Sequence, residues 1–193
     1  MAMKRLIVLI TCAMTVPAFA ITVTPHPGDR IGVLQISDRY EYGSEQTVAN
    51  TVQRGLHREL RSLGFDTFDA RTTYDDLLRN GPQNADYYVE VVSGHAAGRP
   101  VGGVGAGVGG VAVEVSVVVA RVAAEVRLYD GRTLNLIERY DLAQNNTAVV
   151  PTGIGIAGRS IWAAIMLPFV QYGQFRSAAN AVAHQAALRI AGQ

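Results

Sequence analysis

The sequence has one cysteine, Cys12, and one lysine, Lys4, among its 193 residues. Both lie in the first twenty residues, so a chain that loses this segment has no thiol for a disulfide bond or a metal site. Loss of Lys4 and Arg5 would leave 15 arginines against 16 acidic residues, a net charge near −1. Nucleic-acid-binding domains carry an excess of positive charge. We therefore expect no nucleic-acid partner.

The first twenty residues have the pattern of a secretory signal peptide. Two basic residues precede the apolar run 6–16, which is too short to span a bilayer, and small residues flank Phe19. The sequence predicts cleavage between Ala20 and Ile21 and an exported, periplasmic protein. Lipidation of Cys12 is the alternative, but the preceding Thr11 is larger than the residue that a lipobox has there.

Acidic residues are absent from the C-terminal quarter of the chain. None follows Asp141, and the only charged side chains after it are Arg159, Arg176 and Arg189. A weakly basic, apolar segment favours contact with an anionic surface or partner. A helix packed on the core would account for the same composition.

The hydrophobic pattern predicts a signal peptide at 1–20, a leader at 21–29 and a single α/β (α+β) domain at 30–193. Apolar residues recur every three or four positions from Val48 to Leu63, which predicts a long helix ended by Gly64. A mixed sheet of about five strands would carry this helix, a short helix and a C-terminal helix. The predicted strands are 30–36, 65–70, 86–92, 113–129 and 133–142, and the predicted helices are 44–63, 74–79, 160–170 (broken at Pro168) and 174–190.

The apolar side of the strand at 113–129 changes half-way along it. Val113 to Val119 are apolar at odd positions, whereas Val122 to Leu128 are apolar at even positions. A strand of this kind needs a β-bulge or passes between two environments. We expect its first half to project beyond the main sheet. Asp130-Gly131 predicts the hairpin turn that ends it.

Glycine and valine make up nearly all of residues 101–110. The G-x-G-x-x-G match at 105–110 precedes a valine-rich strand rather than a helix, and the match at 153–158 lacks the acidic residue about twenty positions later. We therefore expect no bound cofactor. Glu114 and the many glycines disfavour a membrane-spanning helix. The sequence predicts a glycine-rich arm at about 94–112, between the third and fourth strands.

No catalytic or metal-binding motif is present. The four histidines, His26, His57, His95 and His184, have no metal-ligand spacing. Ser93-Gly94-His95 lacks the G-x-S-x-G nucleophile pattern. We expect no enzyme activity, and a hydrolase with a site assembled from distant residues stays open as an alternative.

The order of the predicted elements resembles a small α/β domain found in several bacterial envelope proteins. These are the curli-secretion channel lipoprotein, the lipoprotein activators of penicillin-binding proteins and the amino-terminal domain of the Tol-system propeller protein. The resemblance covers about residues 30–142, and its matching segments are Arg30–Leu34, Val48–Phe65, Asp75–Leu78, Ala85–Val89 and Arg127–Gly131. It implies an envelope domain that binds other proteins. The glycine segment does not match the pore-forming insertion of the curli channel, so pore formation is not implied.

These observations favour an exported, non-catalytic domain that binds a protein or another component of the cell envelope. The alternative is a membrane-associated, oligomeric component of envelope assembly or secretion. A membrane surface as partner and a homo-oligomer are both open. The predicted contact surface comprises Arg99, Val101, Val104, Val108, Arg159, Trp162 and Arg176.

Overall fold

The computed structural model describes residues 24–36, 43–108, 111–156 and 161–193. The predicted signal peptide with Cys12 and Ala20, and also Ile21 and Arg159, lie outside the described residues. The described part contains five strands and three helices. In chain order they are β1 (Arg30–Val33), α1 (Gly43–Ser62), β2 (Asp66–Asp69), α2 (Tyr74–Asn80), β3 (Tyr87–Val108), β4 (Val111–Asp130), β5 (Leu136–Ile156) and α3 (Ile161–Ile190).

The strands form one mixed sheet in the order β2-β1-β3-β4-β5. β1 is parallel to β2 and to β3. Helix α1 returns the chain from the end of β1 to the start of β2, and α2 does the same between β2 and β3. β3, β4 and β5 follow one another antiparallel. This arrangement confirms the predicted α/β class, with its mixed five-stranded sheet, long helix, short helix and C-terminal helix.

Helices α1 and α3 cover one face of the sheet. The stripe predicted for α1 is buried, since Val52, Leu56 and Leu60 have no exposed surface. These residues pack on the even-numbered face of β4, where Val122 and Val126 are also fully buried. The C-terminal half of α3 completes this core with small side chains, namely Ala178, Ala179, Val182, Ala183, Ala186 and Ala187.

A second, smaller core lies on the opposite face of the sheet, under α2. The ring of Tyr129 on β4 stacks on that of Tyr74 on α2, with centroids 4.2 Å apart. Helix α2 begins at an N-cap, Thr73, whose hydroxyl accepts a hydrogen bond from the backbone N–H of Asp76. This core is formed by Leu34, Ala70, Leu77, Ala85, Tyr88, Tyr129 and Leu134.

The glycine-rich segment is a strand and not a loop between strands. β3 continues to Val108 and pairs with β4 as far as Val111. Gly94, predicted to lie in the arm, is buried in the main sheet against Ala49 of α1. Strand pairing uses backbone groups, so glycines of low strand propensity can still be held by the valine-rich β4. The predicted projection therefore exists as paired strands.

Other predicted features also differ from the structure. β5 extends to Ile156 rather than ending at Leu142. α3 is continuous from Ile161 to Ile190 although Pro168 lies within it. A proline removes only one backbone hydrogen bond of a helix, and the many others of this long helix hold it together. The change of apolar side predicted either a β-bulge in β4 or a passage between two environments, and the described residues of β4 pair consecutively with β3, without a bulge.

The register shifts lie in the neighbours of β4 instead. β3 has an irregularity between Pro100 and Gly102, opposite Val118 and Val117 of β4. The apolar pattern of β4 changes side just beyond this point, between Val119 and Val122. No helix in the described part of the chain is long and apolar enough to cross a membrane.

Candidate functional site

The outer ends of β3, β4 and β5 form a three-stranded ribbon, here called the arm (residues 97–108, 111–121 and 145–156). Its first row pairs Ala97 with Arg121 and Arg121 with Asn145. Its last row pairs Val108 with Val111 and Val111 with Ile156. At about 3.4 Å per residue, the ribbon is roughly 40 Å long.

The arm has little charge and, among the described strands, no neighbour along either outer edge. Its charged residues are Arg99, Glu114 and Arg121. Among the described residues, β1 pairs with β3 only at positions 87–89 and β5 is the edge of the sheet. Both outer edges of the arm are therefore without a strand partner within the described part of the chain.

Both edges contain a proline beside a register shift. Pro100 on β3 precedes the shift at Val101, and Pro151 on β5 lies at the shift opposite Glu114 and Val115. Proline cannot donate a ladder hydrogen bond, and bulges interrupt pairing, so both features oppose the addition of another strand. The faces of the ribbon are consequently better suited to contact a partner than its edges.

The predicted contact residues are divided between the arm and helix α3. Arg99, Val101, Val104 and Val108 all lie on β3 within the arm. Trp162 lies in the first turn of α3. Arg176 lies further along α3, where it is exposed and lines a groove between α1 and α3.

The groove between α1 and α3 was not predicted from the sequence, apart from Arg176. Its apolar compartment has a volume of about 270 Å³ and lies next to the first row of the arm. The ring of Phe175 stands over Gly98, where an added Cβ would be 2.8 Å from the Cζ atom of Phe175. This compartment is lined by Val48, Thr51, Ala96, Phe175, Arg176 and Ala179.

The second compartment of the groove is polar, with a volume of about 300 Å³. It begins at Thr51 and Arg176, which also line the apolar compartment. The two helices approach closely beside it, because an added Cβ at Gly55 would be 2.8 Å from the Cβ atom of Ala183. The compartment is lined by Thr51, Arg54, Gly55, Arg58, Arg176 and Asn180.

One arginine of the polar compartment is neutralised by a carboxylate. Arg58 forms an ion pair with Glu59 at 3.1 Å, and Nδ1 of His184 on α3 lies 2.9 Å from the other oxygen of Glu59. The hydrogen bonds from His184 and Arg58 lower the pKa of Glu59 below its usual range, against a smaller opposing effect of burial. The remaining positive charges of this compartment belong to Arg54 and Arg176.

A shallow depression of about 250 Å³ lies on the other face of the sheet and includes Ser93 and His95. Ser93 pairs with Glu125, and Glu125 pairs with Asp141 on the next strand. Both carboxylates are paired with arginines, since Arg127 lies 2.7 Å from Glu125, and Arg139 lies 3.2 Å from Glu125 and 3.1 Å from Asp141. The depression is open and is not the deep pocket that the hydrolase alternative requires.

The part of the chain that the structure describes offers no candidate metal site. Within the described residues, no group of three or more His, Cys, Asp or Glu side chains could hold an ion. His57 lies half-buried on α1, and burial lowers its pKa below the usual range. His184 is engaged with Glu59 on the neighbouring helix.

No protein-family model and no curated protein sequence matches this chain. Among solved structures, it is similar to the minor lipoprotein of Acinetobacter baumannii, with 11% identity, a TM-score of 0.50, and an alignment over 87% of this chain and 94% of that one. It is also similar to the PelC dodecamer of Paraburkholderia phytofirmans, with 16% identity, a TM-score of 0.41, and 87% and 91% of the chains covered. A third is uncharacterized lipoprotein B of Nitrosomonas europaea, with 14% identity, a TM-score of 0.38 and 85% of each chain covered.

The first of these comparisons concerns the fold alone, because the sequences are only 11% identical. It agrees with the α/β fold that the sequence predicts. The curli, penicillin-binding-protein activator and Tol families are not confirmed. The chain shares its fold with the minor lipoprotein of Acinetobacter baumannii.

Proposed function

We propose that this chain is an exported, non-catalytic domain of the bacterial cell envelope, and that it binds another envelope protein through the arm. The main support for this proposal is the structure and composition of the arm. It is a paired ribbon roughly 40 Å long, and Arg99, Glu114 and Arg121 are its only charged residues. A surface with so few charges is poorly matched to water and suits a protein or lipid partner.

The shape of the arm favours a protein partner that lies across the ribbon. Each of its two edge strands contains a proline, Pro100 or Pro151, beside a register shift, and both features oppose the addition of a continuous strand. Glycines on β3 have no side chains, so a partner can approach the backbone closely there. We therefore place the contact on the β3 residues Val101, Val104 and Val108.

Export is supported by the signal-peptide pattern and by the lipoprotein fold. The direct test is to fractionate the tagged protein from its host and to read the mature N-terminus by mass spectrometry. A fragment that begins at Ile21 supports export with cleavage. A fragment that begins at a lipidated Cys12 would show that the protein is anchored to a membrane instead of released by cleavage at Ala20. A chain that still begins at Met1 would contradict export.

Site-specific photo-crosslinking in the host tests the contact. A photoreactive amino acid replaces Val104 in the arm, and in a matched control it replaces Arg79, which is exposed on α2. The proposal expects a discrete protein adduct at Val104 and none at Arg79. An adduct twice the size of the chain would make the partner a second copy, and lipid adducts alone would favour the membrane-associated alternative.

A further inference from the structure

The groove between α1 and α3 joins an apolar compartment directly to a cationic one. Thr51 of α1 and Arg176 of α3 line both compartments, so a single elongated ligand can occupy the two together. The apolar end is lined by Val48, Ala96 and Phe175. The groove lies outside the arm and does not depend on the partner proposed for it.

The cationic compartment has more positive charge than its own carboxylate neutralises. Glu59 is already paired with Arg58 and His184. Within the described residues, Arg176 makes no hydrogen bond or ion pair, and Arg54 uses Nε alone, to donate to the carbonyl of Asn50 at 3.2 Å. The terminal N–H groups of these two arginines are therefore available to an anion.

We propose that this groove binds an amphiphile with one alkyl chain and a carboxylate head, of the fatty-acid type. The alkyl chain lies in the apolar compartment between Val48, Ala96 and Phe175, and the head lies between Arg54 and Arg176. Planar guanidinium groups match the two oxygens of a carboxylate and bind them bidentately. Burial of the chain supplies the remaining favourable free energy.

The volume of the apolar compartment sets the length of the chain. Cavities of about 150 Å³ in other proteins bind benzene. At about 270 Å³, this compartment accommodates an alkyl chain of more than six carbons. Decanoate is therefore the ligand to test first, below the concentration at which it forms micelles.

The experiment is calorimetric titration of the full exported chain with three ligands. Decanoate has the expected chain and head, butyrate keeps the head but shortens the chain, and decyltrimethylammonium keeps the chain but reverses the charge. We expect saturable binding of decanoate, and binding at least about tenfold weaker for each of the other two ligands. Equal binding of decanoate and decyltrimethylammonium would overturn the proposal.

Charge variants test the position of the head. Arg54→Gln and Arg176→Gln are each expected to weaken decanoate binding by about tenfold, the effect of one charge-assisted hydrogen bond. Arg79→Gln on α2 is the matched control, because its arginine is exposed and lies on another helix. The proposal fails if both groove variants bind decanoate as tightly as Arg79→Gln.

A blocking variant tests the position of the alkyl chain. Ala96→Phe fills the apolar compartment, whereas Ala97→Phe places the same ring on the opposite, exposed face of β3. Loss of decanoate binding in Ala96→Phe alone supports the proposal, provided that circular dichroism shows the same thermal unfolding for both variants. If Ala96→Phe is less stable than Ala97→Phe, the charge variants alone decide. Unchanged binding in a folded Ala96→Phe variant would overturn the proposal.

Discussion

The hydroxyl of Tyr129 donates a hydrogen bond of 2.7 Å to the carboxylate of Glu90. Glu90 is 6% exposed and faces Arg127 across the β3–β4 pair. Burial raises the pKa of Glu90 above its ordinary value of 4.5, although Tyr129 and Arg127 oppose this shift. The buried carboxyl group of Glu90 therefore accepts a hydrogen bond from Tyr129, but Tyr129 and Arg127 only partly offset the cost of burying its charge.

Glu90→Gln should make stability less dependent on pH. A carboxyl group with a raised pKa binds more protons in the folded state, so its contribution to the free energy of unfolding falls as pH rises from 4.5 to the folded pKa. The stability of the wild type relative to Glu90→Gln should decrease over that interval and be constant above it. Urea unfolding of both proteins from pH 4 upward, in steps of about 0.5 unit, measures this. A difference that does not vary with pH would contradict it.

Tyr129→Phe should destabilise the protein by about 1–3 kcal/mol at pH 7, because the carboxylate of Glu90 loses its hydrogen-bond donor. The aromatic ring stays, so the stacking on Tyr74 is retained. The double variant Tyr129→Phe/Glu90→Gln is the control, since it contains no buried carboxylate at this position. Additive losses in the double-mutant cycle would show that the two side chains are not coupled.

Gly94→Ala should destabilise the protein by about 1–3 kcal/mol. An added Cβ would be 2.7 Å from the backbone nitrogen of Ala49, so α1 would have to move away from the sheet. Gly173→Ala on α3 is the matched control, because nothing lies within 4 Å of its added Cβ. Alanine has the higher helix propensity, so Gly173→Ala should stabilise by about 0.5–1 kcal/mol. Thermal unfolding compares the two, and equal effects would refute the close contact.

Asp130→Asn should weaken the β4–β5 turn by about 1 kcal/mol at pH 7. Oδ1 of Asp130 accepts hydrogen bonds from the backbone N–H groups of Arg132 and Thr133 and from the Thr133 hydroxyl, at 3.0, 2.7 and 2.9 Å. The bonds from Thr133 are the main cause of its lowered pKa. A carboxyl group with a lowered pKa stabilises the folded state above pH 3.8, and this stabilisation disappears as the pH falls through the pKa of the folded state. The loss in Asp130→Asn should therefore shrink in acid, and urea unfolding at pH 7 and below pH 3.8 checks this.

Local pattern was sufficient for the elements whose side chains form the core. The three- and four-residue spacing from Val48 to Leu60 requires a helix to bring those side chains to one face, and all of them are buried there. Asp130-Gly131 marks the end of β4 as predicted. The class of the fold follows from this order of strands and helices.

Local sequence pattern could not predict the pairing between strands that are distant in the chain. Glycine has a low strand propensity, so residues 101–108 do not read as a strand, yet β4 supplies their hydrogen bonds. The extension of β5 to Ile156 also depends on β4. Strand propensity depends on context, because neighbouring strands and not the residue itself provide the bonds.

The sequence by itself determined the apolar stripes, the end of β4 at Asp130-Gly131 and the scarcity of charge in residues 97–121, because these depend on residues close together in the chain. Only the tertiary structure decided that Arg54 and Arg176 share one groove with Phe175. That groove exists because Gly55 and Ala183 let α1 and α3 approach closely at one point. Contacts between residues so far apart in the chain leave no periodic signal, so the site arises only where α1 and α3 pack together beside Ala96 of β3.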